Sequence, residues 1–381
     1  MTRRRLLRGV GALIALGLVP PGRGLAQDAD DPMTYARRGA APPGYPASYA
    51  ATVRAGENEG RLSIYASTDL DVAAPLINDF RALYPRIEVA YEDLNTTVLH
   101  HRFVAENQLN AESADIVWSS AMDQQAVLVN GGYAQAYETP ERAELPVWAI
   151  WRDQAFATTY EPVVIAYNKR LIVENEVPRT RGDLVRLLTA DPTRFKGKVV
   201  SYDIQKSGVG FFLAAQDAAN SAEFWALARA LGQNEARLEL TTGAMARQIR
   251  SGDALIGYNL LGGYTIAQAR GSADLGFVLP ADYTLVMSRM MLISRKAANP
   301  NAAKLWVDYV LSKRGQSVIA NQAHLYAIRT DVAGETTAAR LKQMLGTSER
   351  PLAASRDLTG PLERQAYRNF IIQWQQALQR R

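Results

Sequence analysis

The sequence predicts an α/β protein of two lobes joined by a hinge of two extended crossing segments. Three observations carry this. Short apolar runs alternate with helical periodicity from about residue 61, the same alternation resumes after residue 195, and a long extended run stands on each side of that second series. At 381 residues the chain is long enough for two cores.

Residues 1–26 read as an export signal. Arg3, Arg4, Arg5 and Arg8 make a basic start, Gly9 to Val19 is an apolar run of 11 residues, and Gly24-Leu25-Ala26 is a small-residue exit. That run is shorter than the roughly 20 residues a membrane span needs. Arg3-Arg4 resembles a twin-arginine signal, and ordinary signals also begin with arginines, so the twin-arginine and Sec routes both stay open. The expected location is the periplasm, with no membrane insertion after cleavage.

Removing the signal removes Arg3, Arg4, Arg5, Arg8 and Arg23, which equal the whole formal excess of 43 − 38 = +5. A formally neutral mature chain has no global field for nucleic acid or for an acidic membrane surface, and no nucleic-acid partner is expected. With no cysteine, disulfides, thiol catalysis and thiolate metal sites are excluded.

Residues 27–60, rich in Ala, Gly, Pro and charge, are expected to form a leader or surface wrap. From Arg61, strand and helix patterns alternate: Leu62 to Ala66 then Val72 to Tyr84, Ile87 to Tyr91 then Val98 to Leu109, Asp115 to Trp118 then Met122 to Asn130. This order implies a parallel sheet flanked by helices. Phe156 to Asn168 is the first extended crossing. In the second series Lys198 to Tyr202 leads to helices at about Gly208 to Ala219 and Glu223 to Leu231. Thr242 to Ser251 then precedes the strand Ala254 to Tyr258, and Gly263 to Ala269 precedes Asp274 to Leu279. Tyr283 to Ser294 is the return crossing, and Pro300 to Leu311 and Pro361 to Arg381 read as amphipathic helices. The expected division is residues 61–160 with 285–381 as lobe one and 161–284 as lobe two.

Sequence motifs for common chemistry are absent: no Gly-x-Ser-x-Gly elbow, no phosphate loop and no dinucleotide fingerprint follows a strand. His100 and His101 are adjacent on a helix and point about 100° apart, and His324 stands alone. No metal, cofactor or catalytic residue is expected, and the cleft candidates offer no evident base, nucleophile or carboxylate pair.

What recurs is a hydroxyl-rich turn between strand and helix: Ser67-Thr68, Asn95-Thr96-Thr97, Ser119-Ser120, Ser207-Gly208 and Thr241-Thr242-Gly243. Each puts hydroxyls and free N–H groups at a helix N-terminus, where the dipole favours an anion. In a doubly wound sheet such turns share the carboxyl edge, where ligands bind. The candidate ligand-binding residues are Ser67, Thr68, Thr97, Ser119, Ser120, Ser207, Tyr258 and Arg289. Tyr258 closes a strand before a glycine-bearing turn, and Arg289 and Tyr160 lie in the crossings. For Arg289 a carboxylate or phosphate contact and a hinge salt bridge are both open. Trp118 reads as core or cleft wall.

Several runs carry a resemblance: Leu62-Ser63-Ile64-Tyr65-Ala66-Ser67, Ala114-Asp115-Ile116-Val117-Trp118-Ser119-Ser120, Val163-Val164-Ile165-Ala166-Tyr167-Asn168-Lys169, Gly252-Asp253-Ala254-Leu255-Ile256-Gly257-Tyr258, and Ala302 to Ser312 followed by Gly315-Gln316. Over about Leu62 to Arg329 the chain resembles periplasmic solute-binding proteins of ABC importers, in the group of ferric-iron, thiamine, sugar-phosphate and phosphoglycerate binders. The resemblance implies the two-lobed periplasmic-binding-protein fold of type 2, a monomer closing over a solute and delivering it to an ABC permease, with no chemistry on the ligand. Ferric binders of this group carry adjacent tyrosines just after the segment matching Ala254 to Gly257. Here Tyr258-Asn259-Leu260 stands there, which favours an organic anion: an organophosphate, phosphonate or carboxylate. The alternatives are a receptor for a membrane sensor kinase, a binder of ferric iron or of a cation such as thiamine or a polyamine (Asp69, Asp123 and Asp203 lie near the same turns), and an enzyme on the same scaffold.

Overall fold

The computed structural model describes residues 40–378. The export signal and residues 27–39 of the expected leader lie outside the described residues. Among the described residues no helix is long and apolar enough to cross a membrane.

Two sheets form the two lobes. The first contains β1 (Arg61–Ala66), β2 (Glu88–Asp93), β3 (Ile116–Ser119), β4 (Ile150–Trp151), β5 (Ala155–Ala157) and β12 (Met290–Ile293), in the order β2-β1-β3-β12-β5-β4. The second contains β6 (Glu161–Asn168), β7 (Val199–Tyr202), β8 (Arg237–Glu239), β9 (Ile256–Leu261), β11 (Thr284–Met287) and β13 (Glu349–Pro351), in the order β13-β11-β6-β9-β7-β8, with β10 (Leu275–Val278) also on β6. The strands β1, β2 and β3 pair in parallel, as do β8, β7 and β9. Helices cover both faces of such sheets, so β3 and β9 are mainly apolar and are buried along their whole length.

The hinge follows from two continuous runs. The chain leaves the first sheet at β5, passes Thr158 to Tyr160 and enters the second sheet as β6. It returns from β11 through Ser288 and Arg289 into β12. The two crossings lie side by side and are bonded: Thr158 N–H donates to the Arg289 carbonyl at 2.9 Å, and Arg289 N–H to Thr159 Oγ1 at 3.0 Å.

Two expectations change. Residues 49–59, expected in the surface leader, are a helix with Val53 fully buried, packed on the helix Pro300–Leu311. Small residues do the packing. A Cβ on Gly56 would stand 2.7 Å from Leu305 Cδ1 and 3.1 Å from the Ala302 backbone nitrogen. Glu59 also accepts from the free Ala302 N–H at 2.7 Å and from Asn301 Nδ2 at 2.7 Å, capping the neighbouring helix. A composition poor in large apolar side chains hid this role.

The second change concerns the C-terminal third, expected whole in lobe one. β11 belongs to the second sheet, β13 pairs with it, and the terminal helix Arg364–Leu378 packs on the lobe-two helix Phe224–Gln233. Its half-buried Phe370 meets Phe224 and Trp225, and Trp374 stacks on Phe224. The stripe of Tyr367, Phe370, Ile371 and Trp374 was legible in sequence; the lobe that supplies its partner rings was not.

Asp308, on the helix Pro300–Leu311, ties the N-terminal region to lobe one. Its carboxylate accepts from Tyr49 Oη at 2.5 Å, Tyr137 Oη at 2.6 Å and Thr139 Oγ1 at 2.7 Å, with no cationic partner among them. Burial pushes its pKa up to about 7, against the lowering effect of the three donors. A carboxyl whose folded pKa is raised gives stability that is full below its unfolded value and is lost as pH rises to about 7. Stability measured by denaturant should therefore fall between pH 5 and pH 7, with a contribution from Asp308 on the order of a few kcal/mol. Asp308→Asn should lessen that slope without abolishing it, because burial raises the Asp123 pKa to about 7 as well; an unchanged slope would contradict the assignment.

Candidate functional site

The carboxyl ends of the parallel strands β1, β2 and β3 in one sheet and β7, β8 and β9 in the other face one cleft. In lobe one, β1 runs through Ser67 to Asp69 into the helix Leu70–Leu83, β2 runs into Thr96–Gln108, and β3 runs through Ser120 into Met122–Asn130. In lobe two, β7 leads to Gly208–Asn220, β8 to Thr242–Ser251 and β9 directly to Gly262–Arg270. Three of these helices are capped by the side chains the sequence offers: Asn95 accepts from Thr97 N–H, Ser207 from Gly210 N–H and Thr241 from Ala244 N–H.

The cleft is a cavity of about 50 Å³ with Ser67, Asp69, Asp93, Asn95, Thr96 and Ser120 on one wall. Tyr202, Val209, Thr241, Thr242, Leu261 and Tyr264 form the other. The walls touch. Asp69 N–H donates to Tyr264 Oη at 3.0 Å, and Val209 N–H donates to Thr96 Oγ1 at 3.1 Å. Beside them, a Cβ on Gly208 would stand 2.4 Å from Gln124 Nε2, so closure at this point depends on the missing side chain.

The cleft's electrostatics combine helix N-termini with two carboxylates. Asp93 is pushed above its ordinary pKa by burial and by Asp69, while a hydrogen bond from Leu70 N–H works the other way. The first turn of the helix Leu70–Leu83 thus already holds a carboxylate. Asp69 Oδ2 lies 3.3 Å from where a Cβ on Gly243 would be, against the first turn of Thr242–Ser251. Among the described residues no lysine, arginine or histidine lines the cavity.

The expected residues divide. Ser67 and Ser120 come together in the cleft, with their Oγ atoms 3.2 Å apart and Ser120 N–H donating to Ser67 Oγ at 3.0 Å. Thr68 is buried one step behind and accepts from Arg289 Nη1 at 3.0 Å. Thr97 turns into a different crevice and Thr96 takes the cleft position, the effect of one residue's rotation on a helix. Ser119 is buried and accepts from Ala121 N–H. Ser207 caps its helix and donates to the Leu240 carbonyl at 3.1 Å, off the cavity wall.

Tyr258 lies inside lobe two, away from the cleft. Its hydroxyl donates to Asp217 at 2.6 Å and accepts from Arg181 Nε at 3.0 Å, in a buried network that Asn259 and Tyr283 complete. Arg289 is fully buried as a hinge ion pair with Glu161 at 2.8 Å. Tyr160 donates to Glu349 at 2.7 Å, and Trp118 is core, its Nε1 donating to Thr158.

Sequence reading missed Asp93, Tyr202 and Tyr264, and with them the carboxylate pair of Asp69 and Asp93. A positional signal existed: Asp93 and Tyr202 are the last residues of β2 and β7, and Tyr264 lies in the first turn after β9. Burial raises both phenols well above the ordinary tyrosine value. Among the described residues no group of three His, Cys, Asp or Glu side chains could hold a metal ion.

Residues 112–344 match the family model described as bacterial extracellular solute-binding protein. Among solved structures, the substrate-binding protein of an ABC transporter from Agrobacterium tumefaciens is 36% identical with a TM-score of 0.81, covering 84% of this chain and 94% of its own. AfuA from Actinobacillus pleuropneumoniae, solved with fructose-6-phosphate, is 20% identical with a TM-score of 0.67, covering 84% and 99%. Iron-bound HitA from Pseudomonas aeruginosa is 16% identical with a TM-score of 0.66, covering 83% and 99%. These last two share the fold. The family match over most of the folded chain, the two lobes and the closed cleft together make this protein a member of the bacterial extracellular solute-binding protein family.

Proposed function

We propose that the protein is the periplasmic solute-binding component of an ABC importer and closes its lobes on a small organic anion: an organophosphate, phosphonate or carboxylate. One observation carries the ligand class. The strand-to-helix junctions that lead into six helices, three in each lobe, border one cavity, and the first turn of one of those helices already holds a carboxylate, that of Asp93 on Leu70 N–H. Each such helix end carries a partial positive charge, and its N–H donors are in part already taken, by the caps Asn95, Ser207 and Thr241 and by the cross-cleft bonds of Asp69 and Val209. Ser67, Thr96, Ser120 and Thr242 add hydroxyls that turn either way, so they serve a phosphate oxygen or a ligand hydroxyl equally. The fructose-6-phosphate bound to AfuA is a ligand of this class on the same fold. The role is binding, because the cleft's polar groups surround a solute from both lobes, and differential affinity for the closed arrangement is what a transport receptor needs.

A second reading rests on a different observation. Tyr202, Tyr264, Asp69 and Asp93 form an all-oxygen set in the same cleft. Hard cations take oxygen ligands, and HitA was solved with iron. Ferric ion therefore belongs in the same test.

Thermal stabilisation of residues 27–381 should appear with a phosphorylated three- to six-carbon metabolite, phosphonate or carboxylate, and a ligand at about 100 times its Kd should add about 2.7 kcal/mol. Stabilisation by ferric ion alone would overturn the organic-anion reading. With the hit in hand, replacing Ser67 and Ser120 together by Ala should weaken binding about five- to hundredfold, the worth of two hydrogen bonds, with little change in the unliganded melting temperature. Unchanged affinity would remove those hydroxyls from the site. Gly208→Leu, which puts a branched side chain onto Gln124, should abolish binding and leave each lobe folded; binding at wild-type strength would show that closure does not pass through this contact.

A further inference from the structure

A second crevice lies between the lobes, behind the solute cleft. Its volume is about 370 Å³, within the range of small-molecule pockets. Lobe one supplies His100 and Gln124, lobe two Ile204 and Phe211, and the C-terminal segment Leu362 and Tyr367. The Thr96–Val209 hydrogen bond marks the division between the two cavities. Thr96 and Val209 line the solute cleft, while their neighbours Thr97 and Gly208 line the crevice.

We propose that this crevice is a second binding site, for a small neutral molecule with an apolar body and a hydrogen-bond donor, whose occupation favours closed lobes. Three observations select that chemistry. Among the described residues no carboxylate, lysine or arginine lines the crevice, so apart from the imidazoles of His100 and His101 nothing there pairs with an ionic ligand. Phe211, Val127, Ile204 and Leu362 give it apolar walls, and the Tyr367 ring packs on Phe211 with centroids 4.7 Å apart. Two residues of the wall carry buried polar atoms with no protein partner, His100 Nδ1 and Gln124 Oε1.

Gln124 Oε1 accepts only, so it needs a donor from whatever fills the crevice. His100 serves as either partner. Burial, aided by His101, lowers its pKa to about 4, so the imidazole is neutral near pH 7. The coupling to closure is geometric. Walls from both lobes come together only when the lobes meet, and a ligand touching both binds the closed arrangement better. The C-terminal segment spans the same boundary, with residues 356–362 against the lobe-one helix Met122–Asn130 and residues 364–378 against lobe two.

Benzamide is a suitable probe, with a flat apolar ring, two N–H donors and one carbonyl. Titrated into residues 27–381, it should give saturable NMR shifts of the Val127 and Ile204 methyls and a smaller radius of gyration by X-ray scattering. Gln124→Leu should weaken it about five- to tenfold. Benzene, which lacks the donor, should bind the unmodified protein more weakly by a similar factor, a comparison that needs no variant to fold. No saturable shift up to the solubility limit, equal binding of benzene and benzamide, or equal binding to Gln124→Leu would each overturn the proposal.

Discussion

The Arg289–Glu161 ion pair is the interaction on which the two-lobed arrangement rests. Glu161 begins the outgoing crossing and Arg289 sits in the return crossing, both fully buried, with Nε to Oε1 at 2.8 Å and Nη2 to Oε2 at 3.3 Å. Burial opposes the guanidinium charge. Glu161 and Tyr264 more than offset it and hold the Arg289 pKa above its ordinary value. The remaining nitrogen reaches Thr68 in lobe one, and the guanidinium carbon stands 4.5 Å from the centre of the Tyr264 ring in lobe two. One side chain thus touches both crossings and a strand-to-helix junction on each side of the cleft. A buried pair of this kind is worth little against an apolar replacement of both partners, but losing one partner strands a charge. It therefore specifies how the crossings meet more than it adds to stability.

From that hinge the cleft's character follows by topology. Parallel strands separated by helices put every strand's carboxyl end and every following helix's first turn on one edge, and the hinge sets the two edges face to face. The resulting cavity concentrates helix ends and hydroxyls, and among the described residues no arginine or lysine stands in its wall. The partial positive charge in the cleft's wall is that of the helix ends, since the Arg289 charge nearby is paired with Glu161. Such ends are fixed by helix geometry and cost little to order when a ligand arrives. Asp69 and Asp93 counter part of that charge, so under the proposed organic-anion reading the solute would bear hydroxyl or amino donors beside its anionic group.

Much of the architecture was legible because it rests on local patterns. Continuous apolar strands, amphipathic helices and capping residues are properties of a few neighbouring residues, and both extended crossings stood out by length. Partner choice was harder to read. The helix Tyr49–Glu59 packs through Gly56 and through Glu59 capping a helix more than 240 positions away, which no local pattern announces. The terminal helix showed its aromatic stripe but not the lobe that receives it. In the site, Ser67 and Ser120 were readable because each follows a strand and precedes a helix, a position that at Ser207 serves instead as a helix cap. Thr97 and Thr96 differ by one helical step, and Tyr258 and Tyr264 by which end of a helix-strand junction they occupy. Side-chain direction at those positions is set by helix phase and by the strand irregularity opposite Val164 to Ala166, neither fixed by composition.

The most direct measurement on the hinge is the unfolding free energy of Arg289→Met by denaturant titration at pH 7. The methionine keeps much of the arginine stem's volume and leaves Glu161 without its partner. A loss of about 3–5 kcal/mol is expected for a stranded buried charge. A loss below about 1 kcal/mol, the level of an exposed pair, would contradict the central place given to this contact.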